Sequence, residues 1–318
     1  MKALRILIAA AVLGGPARAL AQHAHGHGAD VPAPAASDAA PAALRAEVEA
    51  VRAATERYRD HANAVRDGYK RFGVEGPVMG EHWYREDLVR RPLDLSRPST
   101  LQYATLGGRR VLVGVAYTVY RRPDQAVPEG FAGAADHWHT HDVAKMARAF
   151  VADRPLLRWV VNRRIERGKL GAGDGKTLLT MVHAWVWLDN PDGLFAQQHR
   201  ALPYLRAGLP AAWAQGTGVD AAQGVALLAP GACPQEVSRT DRMARLDRRQ
   251  ERELTAACEG ASAAVRSALS RDRSAATVNA AAAEAWTGFQ AAQARILTRE
   301  QVARLEQVMG AAMEPHVM

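Results

Sequence analysis

Residues 101–120 read LQYATLGGRRVLVGVAYTVY, and this stretch decides the fold class. Two runs rich in β-branched and aromatic residues flank Gly107-Gly108, a pattern typical of two antiparallel strands joined by a tight turn. A third run of the same kind, 177–188, ends at the turn sequence Asn190-Pro191-Asp192-Gly193. The sequence therefore predicts a small antiparallel sheet made of a hairpin and a third strand.

Helical patterns surround these strands. Apolar residues recur at helical spacing over 42–70 and again over 143–167, where Pro155 is expected to divide the helix. Residues 73–98, interrupted by glycines and prolines, are predicted to be a loop. From 234 onward Ala, Arg, Glu and Leu dominate, which favours two or three helices ending near Met309. The sequence thus predicts an α+β domain over 42–215, a linker over 216–233 and an α-helical C-terminal lobe over 234–318.

The first 21 residues have the pattern of a secretory signal peptide. Lys2 and Arg5 precede an apolar run of about ten residues, whereas a helix that crosses a bilayer needs ~20. Ala19-Leu20-Ala21 has the small residues of a cleavage site, and no later stretch looks long and apolar enough to span a membrane. We therefore expect an exported chain that begins at Gln22 and is located in the periplasm or outside the cell.

The net charge and the two cysteines indicate which binding partners and which disulfide to expect. The whole chain has a net charge of +8, and removal of Lys2, Arg5 and Arg18 would lower it by three, to +5. The positive residues are scattered among acidic ones without the interleaved aromatic residues of a nucleic-acid surface, so no nucleic-acid partner is expected. In an oxidising compartment, Cys233 and Cys258 most simply form one disulfide.

The segment His137-Trp138-His139-Thr140-His141 carries the most specific chemical signal. Alternate side chains of an extended strand point the same way, about 6.5 to 7 Å apart, so two of these imidazoles can share one ion. Zinc or copper then needs a ligand from elsewhere, and His183 in the third strand is the obvious candidate, followed by His82. The sequence predicts a copper or zinc site formed from His82, His137, His139, His141 and His183.

Two further groups of residues extend this prediction. Glu81 and Asp142 could ligate the ion or orient an imidazole from outside the ligand shell. His23, His25 and His27 lie in a His-, Ala- and Pro-rich stretch, 22–41, which is predicted to be disordered. Such a tail could capture Cu(II) or Zn(II) loosely, or it could only keep the chain in solution.

These features favour an exported metal-binding protein with an accessory or storage role, but they permit other functions. Three imidazoles with an open position, and Glu81 or Asp142 as general base, would describe a metal-dependent hydrolase or lyase. The chain has no His-Glu-x-x-His or Gly-x-Ser-x-Gly motif. Alternatively, nearby tryptophans could line a pocket for a small organic ligand, or both they and the histidines could simply be core residues. Whether the protein is an enzyme stays open, and no protein partner is specified.

Short blocks of the sequence resemble a family of exported bacterial proteins of unknown function. The blocks occur in order over 60–200: Asp67-Gly68-Tyr69, Met79-Gly80-Glu81-His82, Leu112-Val113-Gly114-Val115-Ala116-Tyr117, His183-Ala184-Trp185 and Asn190-Pro191-Asp192-Gly193-Leu194-Phe195. The resemblance implies no activity. It does imply that His82, His183 and Asn190 belong to one site, with Asn190 outside the ligand shell.

Overall fold

The computed structural model describes residues 42–89, 91–133, 136–167 and 178–313. The expected signal peptide and the stretch that contains His23, His25 and His27 lie outside these residues. The described chain divides into two compact units, one ending at Gln198 and one covering His199–Gly310.

The first unit is built on an antiparallel sheet. Its strands are β1 (Lys70–Gly76), β2 (Gly80–Tyr84), β3 (Thr100–Leu106), β4 (Arg109–Arg121), β5 (His139–His141) and β6 (Leu178–Ala184). They are arranged in the order β1-β2-β3-β4-β6-β5. The predicted hairpin, β3 and β4, and the predicted third strand, β6, form its centre. The α+β class is confirmed.

The sheet is larger than the sequence predicted, because 73–98 is not a continuous loop. β1 and β2 form a second hairpin, in whose turn the Met79 N–H donates to the carbonyl of Gly76. Gly80 follows with φ +69°, and a Cβ at this position would overlap the carbonyl oxygen of Tyr103 in β3. The glycines that suggested a loop therefore serve a turn and a close strand approach.

Helices of the first unit flank the strands. They are α1 (Ala42–Thr55), α2 (His61–Arg66), α3 (Glu86–Val89), α4 (Val143–Phe150) and α5 (Pro155–Glu166), with a 3₁₀ turn at Glu56–Arg59. The helix predicted over 42–70 is divided because Asp60 caps α2, its side chain accepting a hydrogen bond from the Ala62 N–H. The predicted division at Pro155 is confirmed, and Pro155 lies in the first turn of α5, where its missing N–H is not needed.

One face of the sheet forms the main core of the first unit together with α1. This face contributes residues at alternate strand positions, as period-two side-chain geometry requires: Leu101, Tyr103, Val115, Tyr117, Val182 and Ala184. Residues at the intervening positions point to the opposite face. That second face carries the histidines singled out above.

Helices make up the described part of the second unit. They are α6 (Ala201–Arg206), α7 (Val219–Ala226), α8 (Ala232–Ala244), α9 (Arg248–Arg271), α10 (Ala275–Ile296) and α11 (Arg299–Met313), with a 3₁₀ turn at Ala211–Ala214. The predicted linker over 216–233 is corrected, since it contains α7 and the two units divide at Gln198. Gly216 has φ +68° in a turn, and Gly224 lies so close to the backbone of Ala282 that a Cβ would overlap it. These glycines serve turns and close helix packing.

Cys233 in α8 and Cys258 in α9 form the predicted disulfide, with an S–S distance of 2.00 Å. Asp247 begins α9 with a capping box, accepting from the Gln250 N–H while the Gln250 side chain accepts from the Asp247 N–H. No helix within the described ranges is long and apolar enough to cross a membrane.

Candidate metal centre

The pairing of strands β2, β3 and β4 places His82, Gln102 and Gly114 in one row across the sheet. His82 on β2 lies opposite Gln102 on β3, and Gln102 lies opposite Gly114 on β4. Residues directly opposite one another in an antiparallel sheet point to the same face. His82 and Gln102 therefore project over a stretch of sheet from which, at Gly114, no side chain rises.

The other histidines reach the same face from the far edge of the sheet. Ala116, two residues after Gly114, lies opposite His183 on β6, and Met181, two residues before His183, lies opposite His139 on β5. His139 and His141 alternate on β5 and also share this face. Four histidines from three strands therefore lie on one side of the sheet.

The imidazole rings of these histidines approach one another closely. Ring centres are 5.4 Å apart for His82 and His183, and 5.1 Å apart both for His139 and His183 and for His139 and His141. β2 and β6 are three strand spacings apart, which in a flat sheet is about 14 Å. The short distance between His82 and His183 means that the sheet curls and that both side chains reach over β3 and β4.

These spacings match those of imidazoles that share one ion. With metal–nitrogen bonds of about 2.0–2.1 Å and tetrahedral angles, the centres of two ligating rings lie roughly 5 Å apart. Among the described residues, no group of three or more His, Cys, Asp or Glu side chains already meets with its donor atoms arranged to hold a metal ion. Rotating an imidazole about its Cβ–Cγ bond redirects its nitrogens but hardly moves its centre. The ring centres can therefore stay in place while the nitrogens change direction.

Burial keeps the imidazoles of His82, His139 and His183 uncharged. It lowers the pKa of His82 to about 4 and that of His183 to about 3, and it lowers the pKa of His139 well below its usual value. The neighbouring imidazoles lower these pKa values further, and every pair among His82, His139, His141 and His183 interacts in this way. Neutral imidazoles keep the lone pair that a metal ion requires.

Several ring nitrogens are buried without a hydrogen bond. In the described part of the chain, no partner is found for either nitrogen of His82, for Nδ1 of His139 or for Nε2 of His183. His183 Nδ1–H donates to the carbonyl oxygen of Gln197 at 2.9 Å, which leaves the Nε2 lone pair free. A ligating histidine is typically held in this way, with the opposite N–H bound to a carbonyl.

Asn190 supports the loop that supplies this carbonyl. Its side-chain amide donates to the carbonyl oxygen of Gln198, and its Oδ1 accepts from the N–H of Asp192. Asn190 therefore orders the chain next to Gln197, and through it the ring of His183. Asn190 itself makes these contacts with the loop.

Three other predicted site residues, Glu81, Asp142 and His137, do not lie in the histidine cluster. Glu81 lies on the core face of β2, where it pairs with Arg71 and Arg110 at 2.8 Å each and accepts from the Trp83 indole. Asp142 caps α4 by accepting from the Lys145 N–H. His137 is exposed, two residues before His139. Glu81 is adjacent to His82 in β2 and so points to the opposite face, whereas His137 and Asp142 lie outside β5.

Two tryptophans near the histidines in sequence, Trp185 and Trp187, make hydrogen bonds within the core. Trp185 is buried and donates to the carbonyl oxygen of Ala196, and Trp187 donates to Oγ1 of Thr55 on α1. β6 ends at Ala184, so Trp187 packs against the main core instead of sharing a strand face with His183. These indoles act as hydrogen-bonded core residues.

Sequence reasoning did not find Gln102 and Gly114. Gln102 is fully buried, and both polar atoms of its side chain lack a hydrogen-bond partner among the described residues. A glutamine inside an otherwise apolar strand pattern was the available signal. Its meaning depends on pairing with β2, which lies in a segment that the sequence predicted to be a loop.

Comparisons with known proteins add no assignment. No protein-family model matches the chain. No curated protein and no solved structure matches it either. The function of this protein is therefore inferred from its side chains alone.

Proposed function

We propose that this protein is exported and binds one copper or zinc ion through His82, His139, His141 and His183, in an accessory or storage role. A single observation carries the proposal: four imidazoles from three strands lie together on one face of the sheet, and the ring centres of three of their pairs are 5.1–5.4 Å apart. Export is part of the proposal, and the disulfide between Cys233 and Cys258 fits an oxidising compartment.

The unpaired nitrogens support a ligand-binding role over a purely structural one. A buried polar atom without a partner costs about 1–3 kcal/mol, and structural core histidines normally avoid this cost through hydrogen bonds. Here, within the described residues, His82, His139 and His183 each leave at least one nitrogen unpaired. A metal ion bound to one nitrogen of each ring would remove part of that cost.

The kinds of donor atom limit which metal ion the site would bind. Imidazole suits zinc, copper and nickel, whereas magnesium and calcium prefer oxygen donors. Met181, directly opposite His139, is buried on the same face and adds a soft thioether, which favours copper. When bound, the ion would be held by neutral imidazoles, with His183 oriented by Gln197 and Asn190.

The alternatives lose support from the same contacts. A hydrolase or lyase would need Glu81 or Asp142 as a base, but Glu81 pairs with two arginines on the core face and Asp142 caps a helix. An aromatic ligand pocket would need tryptophans whose indoles are instead bonded within the core.

Metal analysis of the purified chain tests the proposal. To remove loose binding by the tail, His23, His25 and His27 are replaced by alanine, and the chain is dialysed against copper or zinc. We expect about one ion per chain by elemental analysis, with loss of this ion in His139→Ala and in His183→Gln. His137→Ala is the matched control and should keep the ion. Absence of stoichiometric metal, or equal retention in all variants, would refute the proposal.

A further inference from the structure

Gln102 is a buried amide on the histidine face with nothing to bind in the described structure. Its side chain is fully buried, and neither Oε1 nor Nε2 has a hydrogen-bond partner among the described residues. A primary amide has two donor hydrogens and an acceptor oxygen, so leaving all of them unmet in the interior is costly. Such a group is expected to have a bonding partner that the described residues do not supply.

Gly114, by having no side chain, makes room for this amide. A Cβ at Gly114 would lie 3.0 Å from Gln102 Oε1, 2.8 Å from the carbonyl oxygen of Ala184 and 3.2 Å from the Cα of Trp185. The carboxamide therefore lies over the glycine, on the stretch of sheet between His82 and His183. Any larger residue at 114 would push the amide or the backbone away.

Position and chemistry together specify what this amide can bind. Gln102 lies directly opposite His82 in the ladder, and the unpaired nitrogens of His82 and His183 belong to rings whose centres are 5.4 Å apart. The described cluster contains no carboxylate that would accept from the amide, since Glu81 is on the core face. A small anion or a hydroxide bound to the ion would accept from Nε2, and the positive ion would strengthen that bond.

We propose that the centre, when it holds copper, keeps a fifth coordination position open beside Gln102, and that the Gln102 amide donates to a small anionic ligand bound there. This inference rests on the proposed metal-binding function. It adds that the centre is not closed by protein ligands, and that its exogenous ligand is a small monoanion or hydroxide that accepts from Nε2 of Gln102.

Azide titration of the copper-loaded protein tests this inference. The chain without tail histidines is loaded with one Cu(II), and azide binding is followed by its charge-transfer absorption and by electron paramagnetic resonance. We expect saturable azide binding in the parent, and an affinity at least about tenfold weaker in Gln102→Leu, with copper content unchanged. Gln235→Leu, at an exposed glutamine of α8, is the matched control and should bind azide as the parent does.

The possible outcomes separate the two proposals. If the parent retains no copper, the proposed function itself fails. If copper is retained but azide does not bind, or binds equally to the parent and to Gln102→Leu, the open position beside Gln102 is refuted. Loss of copper from a folded Gln102→Leu would make Gln102 a ligand and would also overturn the inference. Gln102→Asn, which keeps an amide but retracts it, provides a second test if the leucine variant does not fold, and it should also weaken azide binding.

Discussion

The metal-free protein should lose stability as the pH falls from 7.5 to 5.5. In the folded chain the pKa of His82 lies at about 4 and that of His183 at about 3, with that of His139 also well below its usual value. In the unfolded chain each is expected near 6.5. Between these pH values the unfolded state therefore takes up protons that the folded state does not, so acidification favours unfolding.

The size of this effect follows from the unfolded pKa. For a histidine that stays neutral when folded, lowering the pH from 7.5 to 5.5 costs about 1.4 kcal/mol. Three such histidines give about 4 kcal/mol, a large fraction of the 5–15 kcal/mol typical of a domain. Most carboxylates stay ionised over this range, so the histidines dominate the change.

Urea unfolding of the chelator-treated protein at several pH values, followed by tryptophan fluorescence, measures this effect. His183→Gln removes one titrating group, so its pH dependence should be weaker by about a third. His137→Ala should leave the dependence unchanged because that side chain is exposed. A free energy of unfolding that varies by less than about 1 kcal/mol between pH 7.5 and 5.5 would refute the reasoning.

Three substitutions test other parts of the structure. Gly114→Ala should destabilise the protein by about 1–3 kcal/mol and weaken metal binding, because its Cβ would press on the carbonyl oxygen of Ala184. Gly260→Ala, in open space on α9, is its control and should not destabilise. Replacing Cys233 and Cys258 by serine should cost about 3 kcal/mol in calorimetry of the second unit, yet leave copper content unchanged. Glu81→Gln should lower stability through its lost ion pairs and retain the metal in elemental analysis; metal loss would place Glu81 at the centre.

The sequence was informative where one local pattern determines one element. The alternating run on either side of Gly107-Gly108 predicted β3 and β4, and Pro155 marked the boundary between α4 and α5. The two cysteines predicted their disulfide. In each case the deciding residues are neighbours along the chain or have a single available partner.

The sequence was less informative where a residue serves two purposes. Gly76 and Gly80 resemble loop residues, although they form the turn of the hairpin that carries His82. Likewise, Gly224 resembles a linker residue but allows α7 to approach α10 closely. Glycine permits both an irregular chain and a close contact, and only the packed partner distinguishes the two.

The candidate site contains some residues that a local sequence pattern predicts and others that depend on packing between strands. Alternation along β5 correctly placed His139 and His141 on one side, and the ring of His183 lies next to that of His139. The approach of His82 depends on the curl of the sheet across β3 and β4, and the presence of Gln102 depends on register with β2. Neither curvature nor register is encoded in the spacing of residues within one strand.

X-ray absorption spectroscopy of the copper- or zinc-loaded chain without tail histidines tests the shared metal centre most directly. We expect a shell of nitrogen donors at about 2.0 Å with the multiple scattering of three or four imidazoles. A shell of oxygen donors with at most one imidazole would contradict the claim that histidines from β2, β5 and β6 hold one ion.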